Sequence, residues 1–203
     1  MQAMSSYPVS VRGDLSQPPA RGWWLLKWLL AIPHYIVLAL LWIAFVVVVI
    51  IAFFAILFTG KYPRGLFDFN SGVLRWTWRV AFYSYSALAT DKYPPFSLES
   101  DDGYPADLQI EYPSRLSRGL VLVKWWLLAI PHYVIVAFFQ GGENGGGLTS
   151  ILAFFAAVAL LFTGRYPADI LKLVVGMNRW GIRVAAYASL MTDQYPPFRL
   201  WDE

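Results

Sequence analysis

The chain has 203 residues and a net charge of +3, with 58% apolar and 18% aromatic residues against 14% charged ones. A soluble domain carries about 25% charged residues, so this composition excludes a disordered chain, a coiled coil and an ordinary cytosolic enzyme, and it points to an integral membrane protein. The small net charge gives no case for nucleic acid, and without cysteine there is neither a disulfide framework nor a thiolate nucleophile.

The dominant pattern is an internal repeat. Leu-Leu-Ala-Ile-Pro-His-Tyr at residues 29–35 recurs at 127–133, and Leu-Phe-Thr-Gly-Lys-Tyr-Pro at 57–63 recurs with Arg for Lys at 161–167. Arg75-Trp76 and Arg79-Val80-Ala81 recur as Arg179-Trp180 and Arg183-Val184-Ala185. Thr90-Asp91 and its Tyr-Pro-Pro-Phe recur from Thr192. Two copies follow, at 1–99 and 104–203.

Each copy begins with a leader that alternates apolar and polar residues, Val9 and Val11 in the first, Leu108, Ile110 and Tyr112 in the second. That alternation predicts a strand. Residues 1–20 lack the charged and apolar regions of a signal peptide, so the apolar segments themselves are expected to direct insertion. Residues 28–60 then carry no Asp, Glu, Lys or Arg, too long a run for one span of about 20 residues. In copy two the matching region is broken by a Gly-rich loop at 140–147. Two readings of copy one follow: a hairpin turning near Trp42, or one long tilted helix from Pro33 to Phe58. All 16 Lys and Arg lie away from the hairpin tips, which by the positive-inside rule favours hairpins with an external loop at 140–147 and both termini cytoplasmic. Pro33 and Pro131 are expected to kink the first arms.

Thr-Gly-basic-Tyr-Pro stops the apolar stretch, and a third helix follows. Arg75 and Arg79 in copy one, and Lys172, Arg179 and Arg183 in copy two, fall on one helical face. Two mid-helix Arg make a full span costly, so an in-plane interfacial helix presenting its cations to anionic headgroups is the expected arrangement; plain snorkelling is the alternative. Tyr-Pro-Pro-Phe ends each copy, with closing strands expected at 96–99 and 198–201, the former pairing with 108–112 across the Asp101-Asp102-Gly103 turn.

His34 and His132 are the only histidines and are repeat-equivalent. As a pair they could ligate haem or a pigment, but metal sites take three or four ligands. A structural role bonding a carbonyl freed by the preceding proline is the expectation. Lys27 and Lys124 are expected to snorkel, and Asp91 and Asp193 to cap the third helix or pair with its cations. No phosphate-binding, dinucleotide or nucleophile-elbow motif is present.

The motif set Leu-Phe-Thr-Gly-[Lys/Arg]-Tyr-Pro, Arg-Trp-x-x-Arg-Val and Thr-Asp-x-Tyr-Pro-Pro-Phe resembles a bacterial membrane family, domain of unknown function 4389, here in two copies. The resemblance implies a bacterial membrane protein and brings no activity or catalytic residue. The Gly-rich insertion departs from the pattern of copy one.

The expected fold is an all-α integral membrane protein. It has membrane hairpins at about 23–59 and 120–163, amphipathic interfacial helices at about 66–90 and 169–191, and minor cytoplasmic strands. The expected function is a non-catalytic accessory or scaffold subunit of the bacterial inner membrane, without cofactor or metal. Its partners are membrane lipids and either other membrane subunits or a second copy. A transport component would need ionisable groups deep in its spans, and a lipid-modifying enzyme would rest on Asp91, Asp193 and the histidines.

Overall fold

The computed structural model describes residues 7–15, 19–141 and 146–201. Copy one contributes β1 (Val9–Gly13), α1 (Trp24–Leu30), α2 (Ile32–Thr59) and α3 (Arg64–Tyr83). Copy two contributes β2 (Ala106–Ile110), α4 (Leu120–Val123), a widened π turn (Lys124–Leu128), α5 (Ile130–Gln140), α6 (Leu148–Thr163) and α7 (Ala168–Ala188).

The apolar region of copy one is one uninterrupted 28-residue helix, not a hairpin. No Gly, Pro or polar cluster near Trp42 offers turn chemistry. Trp42 instead packs on Phe45 and donates its indole N–H to Thr77 Oγ1 at 3.2 Å. Pro33 sits in the first turn of α2, which only Ala31 separates from α1, and there its missing N–H costs no helical bond. In copy two the equivalent Pro131 follows a 44° bend between the 120–128 and 130–140 segments, the expected kink. Gly60 ends the helix in the left-handed region, φ +73°, with its N–H on Ile56 O.

Copy two has the same rod in two pieces, α5 and α6. Phe139 and Thr149 correspond to Leu41 and Phe45, which are one turn apart; copy two holds six more residues between them. Thr149 Oγ1 donates to Phe139 O at 2.9 Å. In an unbroken helix a threonine makes this bond to the carbonyl four residues back. A side chain at Gly147 would collide with the backbone of Gln140 and Gly141. So the described ends of α5 and α6 abut, with Gly147 against Gln140 and Gly141 rather than across a hairpin loop. Residues 142–145, which hold most of the expected external loop, lie outside the described residues.

Three layers result. β1 and β2 pair antiparallel, Val9 opposite Ile110 and Val11 opposite Leu108. The pair covers one side of α3 and α7, while α2 covers the other side of α3 and α5 and α6 cover the other side of α7. The two faces of α3 separate cleanly. Arg79 and Trp78 reach the strands, through Asp107 and Arg12 O. Thr77 and Ser84 bond Trp42 and Tyr35 of α2. Those contacts run antiparallel, and Asn70 to Tyr62 extends them to the far end of α2.

The strands are exchanged between copies: β1 of copy one packs on α7 and β2 of copy two packs on α3. The copies are antiparallel to each other, since Tyr166 at the start of α7 donates to Ala87 O just beyond α3. Residues 96–99 and 198–201 are irregular rather than strands. Their aromatic residues serve stacking, not ladder pairing, as described next.

Candidate functional site

α3 and α7 are the buried middle layer, not helices lying on the surface. Arg79 is fully enclosed, and its Nη2 meets Asp107 Oδ1 at 2.8 Å. Arg75 donates from Nε to Leu108 O at 2.7 Å and from Nη1 to Leu98 O at 2.6 Å, with Asp107 at 3.5 Å. Burial is the leading influence on the Arg75 guanidinium and lowers its pKa, and Asp107 opposes that shift. In copy two, Arg179 donates to Leu200 O and Val11 O, and Arg183 is enclosed with its guanidinium 5.2 Å from the centroid of the Tyr7 ring. Of the five cations expected at headgroups, Lys172 alone is well exposed, and it lies beside Gly13, Asp14 and Arg179 on the strand side. The helical face of these arginines suggests a surface only if cations face outward, and the fold turns them inward instead. Asp107 supplies the missing partner from a strand across the copy boundary.

The lysines are also internal. Lys27 Nζ pairs with Asp91 Oδ1 at 2.8 Å, and Lys124 Nζ with Asp193 Oδ1 at 2.8 Å, both ammoniums buried. The remaining carboxylate oxygens accept from Ala20 N and Ser117 N. Asp91 and Asp193 thus fasten the start of the long rods, rather than capping the third helix or pairing with its arginines, and the lysines do not snorkel. Copy two keeps this clamp despite an extra residue: Ala129 is five positions after Lys124 where Ala31 is four after Lys27. The extra residue is absorbed as the π turn, in which Ala129 N bonds Lys124 O at 3.1 Å.

The histidines occupy aromatic boxes. Trp76 Nε1–H donates to His34 Nδ1 at 3.0 Å, Phe96 stacks on the imidazole at 4.0 Å, and Tyr93 closes a side. Trp180, Phe198 and Tyr195 repeat this around His132. An indole only donates, so each Nδ1 carries the lone pair and each Nε2 the proton. An iron or magnesium ligand at Nε2 would require the reverse tautomer and loss of the tryptophan bond. The contacts that hold each imidazole come from the indole and the Tyr-Pro-Pro-Phe segment, not from a carbonyl freed by proline.

What remains accessible is the outer layer. On α2 the residues Ile36, Leu40, Ile43, Ile50 and Phe58 are mostly exposed, and Val134, Phe138, Phe154 and Phe162 continue the surface over α5 and α6. Ile43 is 65% exposed and Phe162 79%. Contiguous exposed large apolar side chains mark an interaction or membrane-facing surface. Exposed cations gather at the rod ends: Lys61, Arg64, Arg115 and Arg118 at one end, Arg21 and Arg165 at the other, where Arg115 and Arg118 lie close to Gly60 and Arg21 lies close to Gly164. The sequence signal for them was present, since Arg21 and Arg118, and Lys61 and Arg165, are repeat-equivalent residues bounding the apolar runs.

Among the described residues, α2 alone is a single helix long and apolar enough to cross a membrane; the 120–128 and 130–140 helical segments pass that test only together, across a 44° bend. No curated protein and no solved structure matches the chain. The model of one family matches residues 22–97 and again 120–199. The chain therefore belongs to the family described as Domain of unknown function (DUF4389), carrying its domain twice in tandem.

Proposed function

We propose that the protein is a non-catalytic accessory or scaffold component of a bacterial inner membrane, held in lipid by its outer helical layer and tuned to anionic headgroups by the cations at the rod ends. The observation that carries this reading is the continuous exposed apolar face of α2 and α5–α6. The buried ionisable groups support the same reading. Lys27, Lys124 and Arg79 are buried in ion pairs that hold elements together. The exposed cations at the rod ends, among them Lys61, Arg115, Arg118, Arg21 and Arg165, lie at the borders of the apolar face, where long side chains reach phosphate while their stems stay in lipid. Each contributes about 1 kcal/mol beside an anionic surface. The partners are lipid and either other membrane subunits or a second copy of this chain.

The test is purification from native membranes after carbonate extraction, followed by identification of co-purifying proteins and lipids. Retention in the carbonate pellet, with a reproducible protein partner or a second copy and enriched anionic lipid, is the expected result. Release into the carbonate supernatant would end the membrane reading. Turnover of a lipid substrate by the purified protein would end the non-catalytic one.

A further inference from the structure

We propose that the molecule lies flat in a single leaflet, with α2 and α5–α6 parallel to the membrane plane and the strand pair facing water. This rests on the membrane reading above and adds the orientation and the partner: one anionic leaflet, entered from one side.

The layers decide it. The rods, α3 and α7, and the strands stack in that order, with the helix axes running within the layers. The face opposite the rods is polar and open: Ser10, Arg12 and Gln109 are exposed on the strands. These residues sit at the level of the central turns of α3, because Arg12 O takes the Trp78 indole N–H and Leu108 O takes Arg75. If α2 and α3 stood along the membrane normal, that level would be the bilayer centre. Arg12, Gln109 and the edges of a two-stranded sheet would then face hydrocarbon, where open sheet edges do not occur. Lying flat, the apolar layer meets acyl chains and the strand layer stays in water.

Three further features agree. At about 1.5 Å per residue, α2 is about 42 Å long, well beyond a hydrocarbon core of about 30 Å; a helix in the plane has no length to match. The break between Gln140 and Leu148 falls near the middle of its rod, the worst place for a polar insertion in a standing helix. The end cations occur at both ends of each rod because the copies are antiparallel. A standing molecule would divide them between the two membrane surfaces. A flat one places them all at the headgroup level of one leaflet, where a helix buried about 5–10 Å keeps charged ends in reach of phosphate.

The chain has no cysteine, so single cysteines report cleanly. Spin labels at Ile36→Cys, Ile43→Cys, Ile50→Cys and Phe58→Cys, in vesicles containing phosphatidylglycerol, are compared for oxygen against nickel-chelate accessibility. The expected depth is the same at all four positions to within one turn of helix. A profile that deepens toward Ile43 and Ile50 and becomes shallow at both ends overturns the proposal. In native membranes, Lys92→Cys lies beside the start of α2, where Asp91 holds Lys27. Ser114→Cys lies beside its end, where Leu116 N bonds Gly60 O. Both are expected to react with an impermeant thiol reagent from the same side as Gln109→Cys. Reaction from opposite sides overturns the flat orientation and leaves membrane insertion standing; failure to float with the vesicles at all removes both.

Discussion

The two copies carry the same motifs, yet the strand that faces their buried arginines differs between them. In copy one, Arg75 and Arg79 converge on a buried carboxylate, Asp107. The strands align through Tyr7-Pro8 and Tyr104-Pro105, so the position of Asp107 in copy two is held by Ser10, which is exposed. Arg183 lies over the Tyr7 ring, and Arg179 reaches the backbone at Val11 and Leu200. At this position the strand over α3 has a carboxylate and the strand over α7 a hydroxyl, while backbone carbonyls accept from Arg75 and Arg179 alike.

The strand exchange makes the copies interdependent, and breaking it should have the largest effect. Cutting the chain between residues 103 and 104 separates neither a complete copy one nor a complete copy two, because β1 belongs structurally to α7 and β2 to α3. Each half expressed alone in detergent should aggregate or pair with itself, while co-expression should restore a one-to-one complex that size-exclusion chromatography resolves. A monomeric half with a cooperative melt would show that the exchange is dispensable.

The next largest effect separates the two arginine sites. Asp107→Ala strands a fully enclosed guanidinium and should cost about 3–5 kcal/mol, read as a lower unfolding midpoint by circular dichroism in detergent. Ser10→Ala, at the equivalent but exposed position, should stay within about 0.5 kcal/mol. Equal losses would mean that Asp107 contributes no more than its surface equivalent and would erase the contrast between the copies.

How much of this could be read from the chain follows from which interactions are local. The repeat, the rods, the stop at Gly60 and Gly164 and the leader strands are written in periodicity and turn residues within short windows. Asp107 answering Arg79 is not, because its strand lies in the other copy and nothing near Arg79 announces it. Pairing the leader with residues 96–99 was the natural local guess. It fails because the copy-two leader pairs with the copy-one leader, β1, instead, while Phe96 stacks on His34. The hairpin reading of copy one fails for a related reason: copy two supplies the loop, but its six-residue excess interrupts a rod that copy one keeps whole. Charge placement could not separate the two readings, since both leave the cations at the rod ends.

The histidine boxes predict a smaller and symmetrical effect. Trp76→Phe and Trp180→Phe each remove the indole donor to an imidazole Nδ1 while keeping most of the ring surface. Each should cost about 1–2 kcal/mol, the loss expected when a buried acceptor goes unmade. The double variant should cost the sum, because the boxes share no residue. A strongly non-additive result would show that the two boxes communicate through the layer between them.

The smallest effect tests the register of the interrupted rod. Deleting residues 142–147 restores the spacing of Leu41 and Phe45 to Phe139 and Thr149, so Thr149 becomes the fourth residue after Phe139 and its hydroxyl keeps the same acceptor. Gly141 then lies within the helix, where glycine costs about 1 kcal/mol relative to alanine; Gly141→Ala belongs in the same variant. The outward face of the rod is already apolar on both sides of the break, with Phe138 and Ile151 exposed, so the joined helix presents a surface like that of α2. Stability should change by no more than about 1 kcal/mol, helical content should rise slightly, and membrane partition should persist. Deleting five or seven residues rotates α6 by about 100° in either direction. It would turn Ala153 and Ala157 away from Leu88, which they bury, and should cost several times more. If all three deletions behaved alike, α5 and α6 would not form a continuous rod, and the likeness between the two copies would end at Gln140.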